Sequence, residues 1–362
     1  MGIKHAAVKA SGEIGLASEW NDDHVIDSDV DFDQNQLLGA VAENLDAWPP
    51  GPEPGRMIFR TDQTAWYVWN GIVWVAMVGP ATVVVAADGS GQYTNIQAGI
   101  NALPAAGGVV YVKEGNYLVV DTIVVTNDNV AIVGAGRSTR IYANSDKCCL
   151  ILNGADYFHI EKIFFQGRGA PLGTTHTIAI TNAKHGRIIN CWIEDAQLDG
   201  IGMTGTSEDI TFSLNVVQNS MRHGIHVSGN GNKITNNTTE NNALMGIMLN
   251  NISNAIVAGN SSNENKGSGI YVHLGENNVI TGNNCQNNDS DDAASYDGIT
   301  LHDSNYNVVV GNRCKDNDRY EIYIDSASCN GNVVVSNNLY GTDRVSAILD
   351  NGTGTEIAHN KT

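Results

Sequence analysis

Histidine, tyrosine and aspartate recur at matched offsets in three consecutive segments of this 362-residue sequence. Each segment is marked by Gly-Ile, or by Glu-Ile in the last one. Tyr271 and Tyr323 stand two residues after the marker, and His273, His302 and Asp325 stand four residues after it. Neighbouring imidazole and carboxylate groups can form a general base and the group that orients it. Aromatic rings beside them can pack on the apolar faces of sugars.

Further acidic residues stand close to these five positions, namely Asp297, Asp303 and Glu276. Two carboxylates can cleave a glycosidic bond when they are about 5 Å or roughly 6.5–9.5 Å apart. Carboxylates on stacked strands would be about 5 Å apart on adjacent strands and about 10 Å apart on alternate ones, so both geometries stay open. We predict catalytic roles for Asp325, His302, His273 and Asp297. We predict substrate contacts for Tyr271, Tyr323, Asp303 and Glu276.

A second group of acidic, basic and imidazole residues comes earlier in the chain. Asp199 and His223 stand directly before successive Gly-Ile pairs, so we expect them to be neighbours. Glu194, Asp195, Arg222 and His226 lie close to them in sequence. We predict substrate contacts for Asp199, His223 and His226.

A repeat between residues 190 and 360 must position all of these side chains. Gly-Ile pairs begin at residues 200, 224, 246, 269 and 298, and Glu321-Ile322 continues the series. Asparagines at 190, 215, 237, 260, 283, 312, 337 and 360 keep nearly the same period. Apolar residues alternate within each unit, as in Ile225 and Val227, which indicates strands. A fixed period of this length indicates stacked units, and short strands with Asn and Gly corners predict a parallel β-helix.

Stacking makes specific predictions for two residue types. The repeated asparagines should lie above one another, so that each side-chain amide donates to the next in a ladder. Cys285 and Cys314 each follow a ladder asparagine by two residues and should stack as buried thiols, with a disulfide as the less favoured alternative. The six cysteines show no CxxC spacing, and we predict no metal ligands among the site residues.

Three stretches are longer than a plain corner of such a repeat requires: residues 135–147, 166–176 and 289–296. Longer loops on a solenoid usually fall on one face and line the binding groove. The last stretch contains Asp289, Asp291 and Asp292, which resemble an acidic Ca²⁺-binding loop, although an acidic run is more often solvated surface. We expect no other cofactor.

The composition limits the choice of partners. The net charge of −19 disfavours nucleic acid, anionic membranes and polyanionic ligands. The sequence contains no apolar run long enough to insert into a membrane, and its first residues lack the apolar stretch of a signal peptide. Together with the few cysteines, this predicts assembly in the cytoplasm.

Residues 1–80 differ from the repeat and hold five of the six tryptophans. Residues 56–60, 66–69 and 72–78 read as strands, with a turn at Asn70-Gly71, because Asn-Gly between apolar segments favours a two-residue hairpin turn. We therefore predict an N-terminal module over residues 1–80 and a β-helix domain over residues 81–362. The module's exposed-prone aromatics suit attachment or oligomerisation.

The repeat over residues 190–360 resembles the right-handed parallel β-helix superfamily of pectate-lyase-like proteins and phage tailspikes. Three further stretches also carry a resemblance to known families. Residues 86–117, AADGSGQYTNIQAGINALPAAGGVVYVKEGNY, resemble the opening of pectate-lyase-like proteins, in which a short helix, here residues 95–103, caps the first coil. Residues 18–27 and 54–79 are similar to segments of phage tail-fibre and tailspike proteins. The resemblance implies an all-β fold, a right-handed parallel β-helix solenoid with a capping helix and a small N-terminal β module. It also implies a homotrimer on a phage tail or baseplate.

The residues and the resemblance together predict a tailspike-like protein that binds and hydrolyses a cell-surface polysaccharide. Two alternatives stay open. One is a non-enzymatic carbohydrate-binding adhesin or structural spike, and the other is a polysaccharide lyase or epimerase. The predicted location is the virion, with the extracellular space as its alternative.

Overall fold

The computed structural model describes residues 43–52, 54, 56–61, 65–69, 71–76, 82–169, 173–290, 295–341 and 345–362. The chain divides into one unit ending at Val78 and a second unit beginning at Gly79. The predicted segment 18–27 and the acidic residues Asp291 and Asp292 lie outside the described residues.

The first unit is a four-stranded sheet in which Glu43–Leu45 pairs in parallel with Met57–Arg60. Met57–Arg60 pairs antiparallel with Ala65–Trp69, which in turn pairs antiparallel with Trp74–Ala76. The predicted antiparallel hairpin forms, but Trp69 pairs with Trp74, so the strands do not close on a two-residue turn as predicted. This pairing brings the rings of Trp69 and Trp74 to 5.5 Å and stacks Trp74 on Trp48, contacts that a tighter turn would lose.

The second unit is a parallel solenoid whose coils contribute strands to three parallel stacks. The sequence repeat folds this way because alternating apolar residues turn inward and bury only when coil stacks on coil. The six isoleucines of the markers, from Ile201 to Ile322, are fully buried above one another. The predicted all-β parallel β-helix is confirmed.

One stack is the ten-stranded sheet that carries the candidate site. Its strands are Ile123–Val125, Leu150–Asn153, Ile178–Thr181, Ile201–Thr204, Ile225–Asn230, Ile247–Ser253, Ile270–His273, Asp297–His302, Tyr320–Ile324 and Ser346–Asp350.

The other two stacks form the remaining walls and share two long strands, Val130–Tyr142 and His159–Gln166. The second stack also contains Thr82–Val85, Gly108–Val112, Arg187–Ile189, Thr211–Ser213, Lys233–Thr235, Ile256–Ala258, Val279–Thr281, Val308–Val310, Val333–Val335 and Glu356–Ala358. The third also contains Gly115–Leu118, Trp192–Glu194, Val216–Gln218, Thr238–Glu240, Ser261–Asn263, Asn284–Gln286, Arg313–Lys315 and Asn338–Tyr340.

The predicted capping helix is present as Ile96–Asn101, with Asn95 as its N-cap accepting from the Ala98 amide at 3.0 Å. At six residues it is far too short to cross a bilayer, and the rest of the described chain holds no longer helix. Its residues Ile96 and Ile100 are buried over the first coil.

The predicted loop at 135–147 is wrong, because the strand Val130–Tyr142 continues through most of it. The strand pairs first with Gly108–Val112 and then with Gly115–Leu118. Thr139 bridges the change of partner, since its Oγ1 accepts from the Ala135 amide at 2.8 Å and donates to the Val112 carbonyl at 3.1 Å. The chain can therefore turn a corner of the solenoid while its backbone stays paired with the neighbouring coil.

The predicted asparagine ladder forms from Asn215 to Asn360, with side-chain amides donating to the next carbonyl oxygen at 2.9–3.0 Å. Asn190 is not part of it, which corrects the prediction. Asn190 lies one residue before the ladder position of its coil, at a corner with φ 53°. Cys191 occupies that position, and its backbone amide starts the ladder by donating to Asn215. Shorter ladders that the sequence analysis missed run through Asn242, Asn265, Asn288 and Asn317 and through Asn278, Asn307 and Asn332.

All six cysteines are free thiols and all are buried. Cys285 and Cys314 pair in adjacent strands, as predicted.

Candidate functional site

The outer face of the ten-stranded sheet carries the residues whose offsets matched in the sequence. Strand pairing places Met248, Tyr271, Thr300 and Tyr323 in one row and Asn250, His273 and His302 in the next. The residues between the rows, such as Val272, are buried in the core. Strand parity therefore brings the predicted residues onto one face.

His302 is the centre of a group that we call the His302 cluster: Tyr271, His273, His302, Asp303 and Asp325. His302 Nδ1 is hydrogen bonded to the Asp325 carboxylate, and His302 Nε2 lies 3.5 Å from Asp303 Oδ2. The Tyr271 and His273 rings lie 6.1 and 5.2 Å from the His302 ring. All five side chains are partly exposed, so the cluster is open to a ligand.

Neighbouring residues hold the cluster in place. His273 Nδ1 is 2.9 Å from Asn250 Oδ1. Asp303 Oδ1 accepts from Ser326 and Ser328 at 2.6 and 2.5 Å, and these bonds hold the pKa of Asp303 below its usual value. Burial and the nearby Asp325 carboxylate raise the pKa of Tyr271 to about 12. Its hydroxyl is therefore a neutral donor at ordinary pH.

Asp297, predicted at the margin of the site, is instead fully buried beneath it. Arg319 Nε and a terminal nitrogen donate to its two carboxylate oxygens at 2.9 and 2.7 Å, and Thr300 donates at 2.7 Å. Burial raises the pKa of Asp297, although the bonds from Arg319 and Thr300 oppose it. The Arg319 guanidinium lies 4.5 Å from the centre of the Tyr323 ring, so the Asp297–Arg319 pair supports that aromatic side chain from below.

The earlier group assembles around Asp199, and we call it the Asp199 cluster: His176, Asp199, Arg222, His223 and His226. The buried Asp199 carboxylate accepts two bonds from Arg222, one of them at 2.6 Å, and a third bond from His226 Nδ1 at 3.1 Å. His176 Nδ1 lies 3.3 Å from the same carboxylate, and the His223 amide donates to it at 3.1 Å.

The charges in the Asp199 cluster are fixed by this packing. Burial raises the pKa of Asp199, but the bonds from Arg222, His176 and His226 outweigh it and hold the pKa far below its usual range. Burial lowers the pKa of His223 to about 4, so this imidazole is neutral at ordinary pH. The cluster is therefore a fixed carboxylate ringed by donors.

The two acidic sites share one arrangement. Asp199 and Asp297 each precede Gly-Ile, and each binds an arginine two residues before the next marker, Arg222 or Arg319. His226 and Tyr323 occupy the same row on the coils that supply these arginines. Four strand steps separate the two copies, which is about 19 Å at the usual strand spacing.

Two residues of these sites were missed by the sequence analysis. Arg319 stands two residues before Glu321, where the marker has lost its glycine. At both sites, however, an Asp-Gly-Ile sequence is followed 22–23 residues after its aspartate by an arginine, and this pattern could have revealed Arg319. His176 precedes the regular repeat. The sequence feature that corresponds to it is Gly202, because any residue with a Cβ at that position would approach His176 Nδ1 to 2.3 Å.

Other predicted residues are not brought into either cluster. Glu276 is exposed at a corner, and its carboxylate forms no hydrogen bond or ion pair with the residues that the structure describes. Glu194 accepts from Gln218 at 2.8 Å, and Asp195 accepts from Gln166 at 2.7 Å. Asp289 is buried and accepts from the Ser295 and Tyr296 amides.

One set of side chains within the described ranges has metal-ligating geometry. His273, His302 and Asp303 offer ligand atoms that lie within 4.8 Å of one another.

Comparison with known proteins confirms the right-handed fold. Residues 199–362 match the family model described as a right handed beta helix region. The Dettilon tailspike protein matches 77% of this chain and 62% of its own, with 16% identity and a TM-score of 0.59. Tailspike protein 2 of an Escherichia coli O157:H7 bacteriophage matches 82% of this chain and 45% of its own, with 15% identity and a TM-score of 0.57. The predicted resemblance to β-helical tailspikes is confirmed for the fold.

Two further relatives act on polysaccharides according to their names. The A-module of a mannuronan C-5 epimerase from Azotobacter vinelandii matches 74% of this chain and 91% of its own, with 17% identity and a TM-score of 0.51. A protein of Arabidopsis thaliana named probable pectinesterase/pectinesterase inhibitor 58 is 31% identical over 131 residues. That match covers 32% of this chain and 23% of the relative, so the chain spans about a quarter of that protein's length.

Proposed function

We propose that this chain is a tailspike-like protein that binds a cell-surface polysaccharide across the outer face of its ten-stranded sheet. The observation that carries the proposal is the His302 cluster, in which a partly exposed tyrosine lies beside two imidazoles and two carboxylates. β-Helical tailspikes and polysaccharide-modifying enzymes share this fold, which supports a carbohydrate-related function.

The chemistry of the cluster suits a sugar chain. The Tyr271 ring can pack on the apolar face of a sugar ring, and the imidazoles and carboxylates can bind its hydroxyls. The net charge of −19 disfavours strongly anionic polysaccharides, so we expect a neutral or basic one. The Asp199 cluster lies on the same sheet about 19 Å away, which gives a long glycan a second place to bind.

Replacing Tyr271 with alanine should weaken polysaccharide binding about tenfold or more, because aromatic stacking contributes roughly 0.5–1.5 kcal/mol beyond the buried area itself. The ring is partly exposed, so the fold should tolerate its loss. Binding would be measured on an array of bacterial surface polysaccharides and then by titration calorimetry with the best ligand.

The matched control is Tyr111→Ala, which removes an exposed tyrosine from the second stack. This variant should bind as the unmodified protein does. Equal losses in the two variants would place the glycan elsewhere, and no binding to any surface polysaccharide would reject the proposal.

Cleavage is a second candidate function, favoured by the His302–Asp325 pair. A carboxylate oxygen only accepts, so His302 Nδ1 is the donor, and in the neutral form of this tautomer Nε2 carries the lone pair that a general base needs. Hydrolysis would release new reducing ends from a bound glycan, a lyase would leave an unsaturated sugar, and an epimerase would change neither chain length nor saturation. Binding without any change in the glycan would support the adhesin alternative.

Assembly as a homotrimer on a phage tail or baseplate belongs to the same proposal. It rests on the resemblance of residues 18–27 and 54–79 to phage tail segments and on the β-helical tailspikes that share the fold. Light scattering on the full chain should give about three times its mass of 38.6 kDa. A monomer at all concentrations would contradict this part and leave glycan binding to be judged by its own experiment.

A further inference from the structure

We propose that His273, His302 and Asp303 bind a divalent transition metal ion of the zinc type. Their ligand atoms lie within 4.8 Å of one another, and His302 Nε2 is 3.5 Å from Asp303 Oδ2. Two ligands of a tetrahedral Zn²⁺ with bonds near 2.0–2.1 Å are about 3.4 Å apart. The pair is therefore spaced as two ligands of one ion would be.

Hydrogen bonds occupy one nitrogen of each imidazole and one oxygen of Asp303, which leaves the other atom of each side chain for an ion. Asn250 Oδ1 accepts from His273 Nδ1, and the Asp325 carboxylate accepts from His302 Nδ1. Because both oxygens are acceptors only, each neutral imidazole keeps its lone pair on Nε2. Ser326 and Ser328 hold Asp303 Oδ1, which leaves Oδ2 for the ion. Metal-binding histidines and carboxylates are typically oriented by such outer partners.

The arrangement also contains an electrostatic problem that a cation would solve. With Nδ1 donating to Asp325, the lone pair of a neutral His302 Nε2 faces the Asp303 carboxylate oxygen. Two acceptors at this distance repel each other unless a proton or a metal ion lies between them. Two imidazoles and one carboxylate favour zinc or a related transition metal, because Ca²⁺ and Mg²⁺ prefer oxygen ligands alone.

The fold makes the proposed site rigid on one side and open on the other. His273 ends one strand, and His302 ends the next strand in register with it, so the ligands come from two adjacent coils. All three side chains are partly exposed. Three protein ligands leave a fourth tetrahedral position open, where water or a sugar hydroxyl can bind.

The inference goes beyond polysaccharide binding and does not rest on it. It does alter the second candidate function, because an ion on His302 Nε2 removes the free imidazole as a base. A metal-bound water, whose pKa is lowered by the ion, would then act as the base.

The test is zinc titration of the full chain, without a polyhistidine tag and after chelator treatment and dialysis. We expect one tight Zn²⁺ per chain by calorimetry, and visible absorption of tetrahedral intensity when Co²⁺ replaces it. His273→Ala and Asp303→Asn should each weaken binding at least tenfold. Asn250→Ala, which keeps all three ligands, should weaken it about 10–100-fold.

The matched control is His185→Asn, which removes an exposed histidine near Asp209 at a corner where asparagine tolerates the positive φ. It should bind zinc as the unmodified chain does, and thermal unfolding would verify that every variant is folded. Absence of saturable zinc binding, or binding that survives both His273→Ala and Asp303→Asn, overturns the proposal. Because no glycan is used, either result leaves the polysaccharide proposal to its own test.

Discussion

Replacing Asn260 with alanine should lower the free energy of unfolding by about 3–4 kcal/mol. Its buried amide donates to the Ile234 carbonyl at 2.8 Å and to Asn283 Oδ1 at 2.9 Å. Its Oδ1 accepts from the Asn237 amide and side chain at 2.9 and 3.0 Å. Alanine leaves the Ile234 carbonyl and the Asn237 amide without these partners, and each unpaired buried group costs roughly 1–3 kcal/mol. Urea unfolding followed by circular dichroism would measure the loss.

Asn254→Gly is the control for this prediction. Asn254 is exposed at a corner with φ +56°, a conformation that glycine adopts without strain. The change should alter stability by less than about 1 kcal/mol. If Asn260→Ala costs no more than Asn254→Gly, the ladder bonds do not stabilise the solenoid.

Replacing Arg319 with methionine should have the second large effect, a loss of about 3 kcal/mol or more in the free energy of unfolding. Methionine keeps the apolar length of the side chain and removes the charge. Among the residues that the structure describes, the fully buried Asp297 carboxylate then retains only the Thr300 hydroxyl as a side-chain donor. Removing one partner of a buried ion pair typically costs 3–5 kcal/mol, because the other charge stays buried. The same urea unfolding measurement would detect it.

Two further variants separate this explanation from a general effect of losing an arginine. Asp297→Asn combined with Arg319→Met removes both charges, so it should regain much of the lost stability. Lys147→Met breaks an exposed ion pair with Asp121 and should cost less than about 1 kcal/mol. A double variant no more stable than Arg319→Met would show that the uncompensated charge is not the cause.

The sequence predicted the solenoid well because its period and its apolar alternation are both local signals. Parity alone placed Tyr271, His273 and His302 on one face, since pairing between coils preserves the offset from the marker. It misplaced Asn190 by one residue. Asparagine is common both in ladders and at positive-φ corners, and the ladder position at that coil is filled by Cys191.

The contacts between coils were harder to predict than the coils. Arg319 reaches back across one coil to Asp297, and no spacing within a coil indicates which way a long side chain will turn. The strand Val130–Tyr142 runs through a stretch that is longer than a plain corner requires, and length alone predicts a loop there. Tertiary pairing on both sides keeps the chain extended across its bulge. At Trp69 and Trp74, aromatic packing prevailed over the Asn-Gly turn signal.

The repeated Asp–Arg arrangement has a consequence for how such a surface can evolve. The two copies sit on coils of one stack, so the distance between them is a whole number of coils. Loss or duplication of one complete coil would shift it by about 4.8 Å and leave both clusters, the ladders and the core pattern intact. The distance between the Asp199 and Asp297 sites can thus change by recombination in discrete steps, without substitution of a single contact residue.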